Sequence, residues 1–164
     1  KQIKGAADGN DIPIREAFEW YGSVQGKGSA LWYRNSGPWW DNSNIKPNDG
    51  ISFEEQRDDS RSLWNHYRKL IELKKSNESL AHGDYRLVTN NNDQLFSFLR
   101  FTDNEQIVVI VNLSPNTQRT MVMVPFEDGF NSARSLLSEE VKKFTEGSFA
   151  VDLAPYGMQV FKLE

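Results

Sequence analysis

No cysteine occurs in this 164-residue chain, so neither a disulfide framework nor a thiolate metal site is available to hold it, and cysteine usage leaves the redox compartment open. No apolar run approaches the ~20 residues that a spanning helix needs, so no membrane span is expected. The opening residues KQIKGAADGN lack the apolar stretch of a signal peptide, so export would depend on a signal outside this chain. Bases are not clustered. Residues 1–80 carry 12 bases and 12 acids, and residues 81–164 carry 7 and 11. That balance argues against a nucleic-acid partner. Tryptophan is missing from the second half altogether, Trp64 being the last.

What the chain does have is one long amphipathic stretch, SFEEQRDDSRSLWNHYRKLIELKKSNESL, residues 52–80. Ser52 with Glu55 fits a capping box, and acids crowd the start (Glu54, Glu55, Asp58, Asp59) while bases crowd the end (Arg68, Lys69, Lys74, Lys75), as the helix dipole prefers. Leu63, Trp64, Tyr67, Leu70 and Ile71 recur at helical spacing, which predicts one unbroken helix with an apolar stripe buried against something large. His66 on this helix has no partner pattern, which argues against a catalytic role for it.

Residues 1–51 hold 7 of the 11 Gly, 3 of the 6 Pro and four of the five Trp (Trp20, Trp32, Trp39, Trp40), with no sustained period. This is loop, and far more of it than a small independent domain tolerates. Loop aromatics beside Asp, Asn and Arg suit stacking on a sugar, and the same rings suit plugs that staple a long loop to a core. Within D-I-P-I-R-E-A-F-E-W, residues 11–20, Pro13 stiffens the backbone between Asp11 and Arg15. An acid and an arginine held together there make either a fork for vicinal hydroxyls or a plain local ion pair.

Other motifs fail on their own terms. Gly26-Lys-Gly28 lacks the third glycine of a dinucleotide loop, and Asp41 to Asp49 lacks the central Gly and terminal Glu of a calcium loop. Glu16 and Glu19 lie on one short segment, whereas glycosidase carboxylates come from separate elements. Asn77-Glu-Ser79 and Asn112-Leu-Ser114 match the glycosylation pattern, which is common by chance.

After His82-Gly83-Asp84 the character changes. YRLV, QLFSFLRF, QIVVIVNL, RTMVMVP, ARSLL, SFAVDL and GMQVFKL alternate with turn clusters and predict seven antiparallel strands in a sandwich or barrel. Ile107–Val111, apolar throughout, predicts a central strand buried on both faces. Thr102–Glu105 and Asn90–Asp93 read as hairpin turns.

In this order the motifs resemble the C-terminal part of the α-amylase family of glycoside hydrolases. D-I-P-I-R-E-A-F-E-W is similar to the D-x-x-x-R-x-P-M-x-W segment after the eighth barrel strand, with Ala17 and Phe18 where Pro and Met are usual. G-P-W-W, F-E-E-Q and S-L-W-N-H-Y-R-K-L-I-E-L-K-K resemble the run into the last barrel helix, and L-A-P-Y-G-M-Q-V-F-K-L resembles the closing sandwich strand. The fold class implied is multidomain, α/β and β: residues 1–80 close a (β/α)8 barrel with a long loop and the last helix, and residues 81–164 form an antiparallel β-sandwich.

The resemblance implies retaining hydrolysis of the α-1,4 bonds of starch or maltodextrins by three carboxylates on barrel strands that precede this chain. It therefore implies no catalytic residue, metal ligand or cofactor here, any calcium belonging to the barrel portion outside it. Asp11 and Arg15 match the family's substrate-gripping pair. The partners implied are the rest of the barrel and the α-glucan. A stand-alone carbohydrate-binding sandwich is the alternative, and it would want an aromatic platform after residue 84, where there is no Trp. Without a barrel, residues 1–80 made alone are expected to show no cooperative thermal transition.

Overall fold

The computed structural model describes residues 18–23, 48–124 and 129–164, and the chain divides into two compact units, Lys1–Leu70 and Ile71–Glu164. Where the periodicity predicts one helix there are three: α1 (Phe53–Asp58), α2 (Leu63–Ser76) and α3 (Glu78–His82). The start is as expected, with Ser52 Oγ accepting from the Glu55 amide and the Glu55 carboxylate accepting from the Ser52 amide.

Short polar side chains cause the break. Asp59 ends α1 in extended backbone, its carboxylate accepts from the Arg61 amide, and Ser62 Oγ accepts from the Asn65 amide to open α2. Such local bonds offer the main chain an alternative to continuing the helix. Asn65, buried, then compensates: its Nδ2 lies 2.9, 3.0 and 2.8 Å from the carbonyls of Gln56, Arg57 and Asp59. One amide thus serves the acceptors that the end of α1 orphans. Asn77 makes the second break, donating from Nδ2 to the Leu73 carbonyl at 2.8 Å.

The stripe expected to be buried is largely exposed in this chain, Leu63 by 65%, Tyr67 by 59% and Ile71 by 53%. The residue of α2 that is buried is Asn65.

In the second unit, β1 (Asp84–Leu87), β2 (Leu95–Phe101), β3 (Gln106–Asn112), β8 (Met158–Leu163), β5 (Ser132–Ser135) and β6 (Val141–Lys143) form one antiparallel sheet in the order β1-β2-β3-β8-β5-β6. A second sheet pairs β4 (Gln118–Met123) with β7 (Ser148–Leu153). All seven expected strands are present. β6 is the addition, three residues with two lysines and therefore no legible period. Alternate residues of both sheets meet in one core: Leu99, Val108, Ile110, Phe161 and Leu163 from the large sheet, Val122, Phe149, Val151 and Leu153 from the small one. Each such side chain contributes about 1.5–3 kcal/mol by leaving water. Phe149 sits edge-on to Phe161 at 5.2 Å and stacks with Phe144 at 5.3 Å.

β3 lies between β2 and β8, as its composition predicts. Only its inner face is fully sealed, however. On the other face Ile107 is buried while Val109 and Val111 are half-buried. The Thr102 amide donates to the Glu105 carbonyl at 2.9 Å and closes the β2–β3 hairpin. The Asn90 turn is tied further, its Nδ2 donating to Ser97 Oγ at 2.8 Å and its backbone bridging to Val122 of β4.

Candidate functional site

Asp11 and Arg15, the substrate-gripping pair suggested by the sequence, lie outside the described residues. So do Glu16, the Gly26–Gly28 stretch, Asp41, and Trp32, Trp39 and Trp40. The end of the same motif is described, and residues 48–54 hold it by its main chain. The amide of Phe53 donates to the Glu19 carbonyl at 2.8 Å, that of Glu54 to the Trp20 carbonyl at 3.1 Å, and that of Asn48 to the Gly22 carbonyl at 2.7 Å. In return the Gly22 amide donates to Glu54 Oε2 at 3.0 Å. Two orphan donors of the first turn of α1 are therefore satisfied by the motif's own backbone. Gly22 suits this close approach, since a Cβ there would come within 3.1 Å of Glu55 Cγ and Cδ.

Rings reinforce the anchorage. Trp20 lies edge-on to Phe18 at 4.6 Å and to Phe53 at 5.9 Å, and Phe53 edge-on to Trp64 at 5.3 Å. The guanidinium groups of Arg57 and Arg68 stand over Phe53 and Trp64 at 6.0 and 5.3 Å. Trp20 joins the ring cluster, as the stapling reading of a loop tryptophan expects, and is 53% exposed. The Ser52 hydroxyl, 2.6 Å from Glu55 Oε2, has the largest effect and lowers the Glu55 carboxyl from its ordinary value; burial opposes it with the next largest, and the Gly50 and Ser52 amides add to the lowering. Glu55 is thus occupied as the cap, while the Glu54 carboxylate carries the contact to Gly22.

A second polar node lies in the sandwich unit. Glu105 Oε2 accepts from the amide and hydroxyl of buried Ser79 at 2.8 and 2.9 Å, and Oε1 pairs with Lys162 at 2.8 Å. Burial acts to raise the Glu105 carboxyl, but bonds from Lys162 and Ser79 together outweigh it, and the group sits below its ordinary value. Sequence reasoning missed this node, because Glu105 reads as a turn residue. The glycosylation motifs are closed. Asn112 is buried with Nδ2 donating to the Asn116 and Ala154 carbonyls and Oδ1 accepting from the Ser114 amide and hydroxyl, and Asn77 is buried and engaged with Leu73. Among the described residues no three His, Cys, Asp or Glu gather as a metal site, and no helix is long and apolar enough to cross a membrane.

Residues 85–160 match the family described as maltogenic amylase, C-terminal domain. An oligo-1,6-glucosidase from Bacillus cereus is 31% identical over 114 residues, 70% of this chain and 20% of that protein. The chain belongs to the α-amylase family. Another family relative, α-amylase 3 from Dictyoglomus thermophilum, is 26% identical over 63% of this chain and 19% of its own length. The crystal structure of isomaltulose synthase from Klebsiella sp. LX3 shares the fold with a TM-score of 0.61 at 21% identity, over 92% of this chain and 25% of that one. The chain therefore spans about a fifth of the length of these curated α-amylase family relatives.

Proposed function

We propose that this chain is the closing part of the barrel and the C-terminal sandwich of a retaining α-glucan hydrolase, with residues 1–80 in the barrel and 81–164 in the sandwich. The enzyme cleaves the α-1,4 bonds of starch or maltodextrins. The observation that carries this reading is the order of parts: D-I-P-I-R-E-A-F-E-W, then the α1–α2 segment, then a sandwich that matches the family's C-terminal domain over residues 85–160. In such an enzyme a carboxylate attacks the anomeric carbon, an acid protonates the leaving oxygen, and water then cleaves the covalent glycosyl intermediate. Those carboxylates come from the barrel portion outside this chain. Asp11 and Arg15 grip sugar hydroxyls on the non-reducing side of the cut. The exposed stripe of Leu63, Tyr67 and Ile71 is consistent with a barrel that covers it.

A second reading, hydrolysis of short α-1,6-linked oligosaccharides, is favoured by the 31% identity to an oligo-1,6-glucosidase. Products from soluble starch and from isomaltotriose, compared with the full-length enzyme, separate the two. Internal cleavage of starch with slow turnover of isomaltotriose is expected, and the reverse would replace the α-1,4 assignment. Arg15→Ala should raise KM for short maltodextrins about tenfold, the effect of losing a charge-assisted hydrogen bond, without lowering Tm. Unchanged kinetics would remove Arg15 from the site.

A further inference from the structure

The two outer faces of the sandwich differ in chemistry. The small sheet turns outward an exposed ion pair, Arg119 with Asp152 at 3.6 Å, and Met121 on the same face. The large sheet turns outward a field without charge: Tyr85 and Leu87 from β1, Phe96 and Phe98 from β2, Val111 from β3 and Met158 from β8, which share one face by strand alternation. Register sets Leu87 opposite Phe98, Phe96 opposite Val111 and Val111 opposite Met158, so the field is continuous across four strands. The Phe98 ring lies 5.5 Å from the rings of both Tyr85 and Phe96. Leu87 is 63% exposed and Tyr85 53%. At its other end the same face is closed. There Ile107 is fully buried and Val160 nearly so, Arg100 donates from Nη2 to the Gly83 carbonyl at 2.6 Å, and Lys162 meets the Glu105 carboxylate that holds Ser79 of α3. α3, which packs on β2 and β3, thus covers one end of this face and leaves the rest open.

We propose that the open part of this face is where the sandwich docks on the barrel portion of the enzyme outside this chain; this rests on the reading of the chain as barrel end plus sandwich above. The covered and open parts are continuous, since Arg100 at the closed end stands opposite Tyr85 and two residues from Phe98. Cover that begins with α3 therefore extends without a break onto the exposed rings. Aromatic and aliphatic side chains with methionine and no charge are the composition of the centre of a protein interface, and a surface left in water rarely keeps so many together. The chain spans about a fifth of the length of its relatives, so most of their length lies beyond the matched part and can supply the other side. A neutral sugar chain also tolerates a face without charge, but it needs hydrogen-bonding groups beside the rings. Of these six residues Tyr85 alone carries a hydroxyl, and none carries an amide or a carboxylate. Docked in this way the sandwich braces the end of the barrel rather than hanging from it.

The test is thiol labelling of the full-length enzyme, read at the labelled peptide. Leu87→Cys probes the docking face and Met121→Cys the outer face of the small sheet, each rate being divided by the rate at the same site in the urea-unfolded enzyme. Leu87→Cys is expected to react about 100-fold more slowly than Met121→Cys, because it reacts only when the interface opens. Equal rates would overturn the proposal. Protection that fades on dilution would assign the face to a second copy, and protection that appears only with added maltodextrin would assign it to the α-glucan; either result overturns docking on the barrel. Should Leu87→Cys fail to fold, nitration of Tyr85 in the unsubstituted enzyme decides the matter: an unmodified Tyr85 supports docking and a modified one overturns it. Starch hydrolysis by the same samples keeps the two readings apart. Normal hydrolysis with freely labelled Leu87→Cys defeats the docking alone, and protected Leu87→Cys in an enzyme that leaves starch intact defeats the α-1,4 reading alone.

Discussion

The helical segment and the sandwich are sealed by opposite chemistries. Among the described residues every buried hydrophobic lies at or after Val88, whereas the buried residues between Ser52 and Ser79 are all polar: Ser52, Ser62, Asn65, Asn77 and Ser79. The sandwich excludes water with side chains. The segment before it buries hydrogen-bonding groups that finish its helix ends and leaves its apolar stripe outside. A region built that way gains little from hydrophobic burial within this chain.

The largest effect expected from breaking this contrast is at Phe161, fully buried against Phe149. Phe161→Ala should cost about 3–5 kcal/mol in urea unfolding of the sandwich. Asn65→Ala comes next. It strips an amide from three main-chain carbonyls and should cost about 1–3 kcal/mol, seen as faster hydrogen exchange across residues 56–66.

Glu105 sharpens the comparison through pH, because it is a polar closure inside the apolar unit. Its folded pKa is depressed, so its stabilisation is fully present above the ordinary glutamate value of about 4.3 and is lost as pH falls through the lower folded value. The stability difference between the wild type and Glu105→Gln should therefore be steady at neutral pH and shrink in acid. A difference that grows in acid would contradict the Lys162 and Ser79 bonds. The smallest effect is Leu63→Ala, within about 0.5 kcal/mol in this 164-residue chain. In the full-length protein the same change should cost about 2–5 kcal/mol if the barrel covers the stripe.

Much of this was legible in the sequence. Period-two runs such as QLFSFLRF and SFAVDL announce strands with one buried face, and the structure has them as β2 and β7. The capping box was legible for the same reason, since its partners lie three residues apart. The continuous helix was not correct. Its periodicity says which residues share a face, but Asp59, Ser62 and Asn77 compete for the backbone, and propensity sums over 29 residues hide three such positions. The clamp at Glu54 and the node at Glu105 were illegible because their partners, Gly22, Ser79 and Lys162, lie 32, 26 and 57 residues away.

By itself, then, the sequence determined the local matters: strand content, the helix start, the turn residues and the motif order that marks the α-amylase family. These depend on neighbours in the chain, and neighbours are written in order. Only the tertiary structure decided where α1 gives way to α2, which side chains close the helix ends, that Asn112 is sealed by Ala154, and that Glu54 holds Gly22. Those are long-range pairings between groups whose chemistry permits many partners, and only folded geometry selects among them.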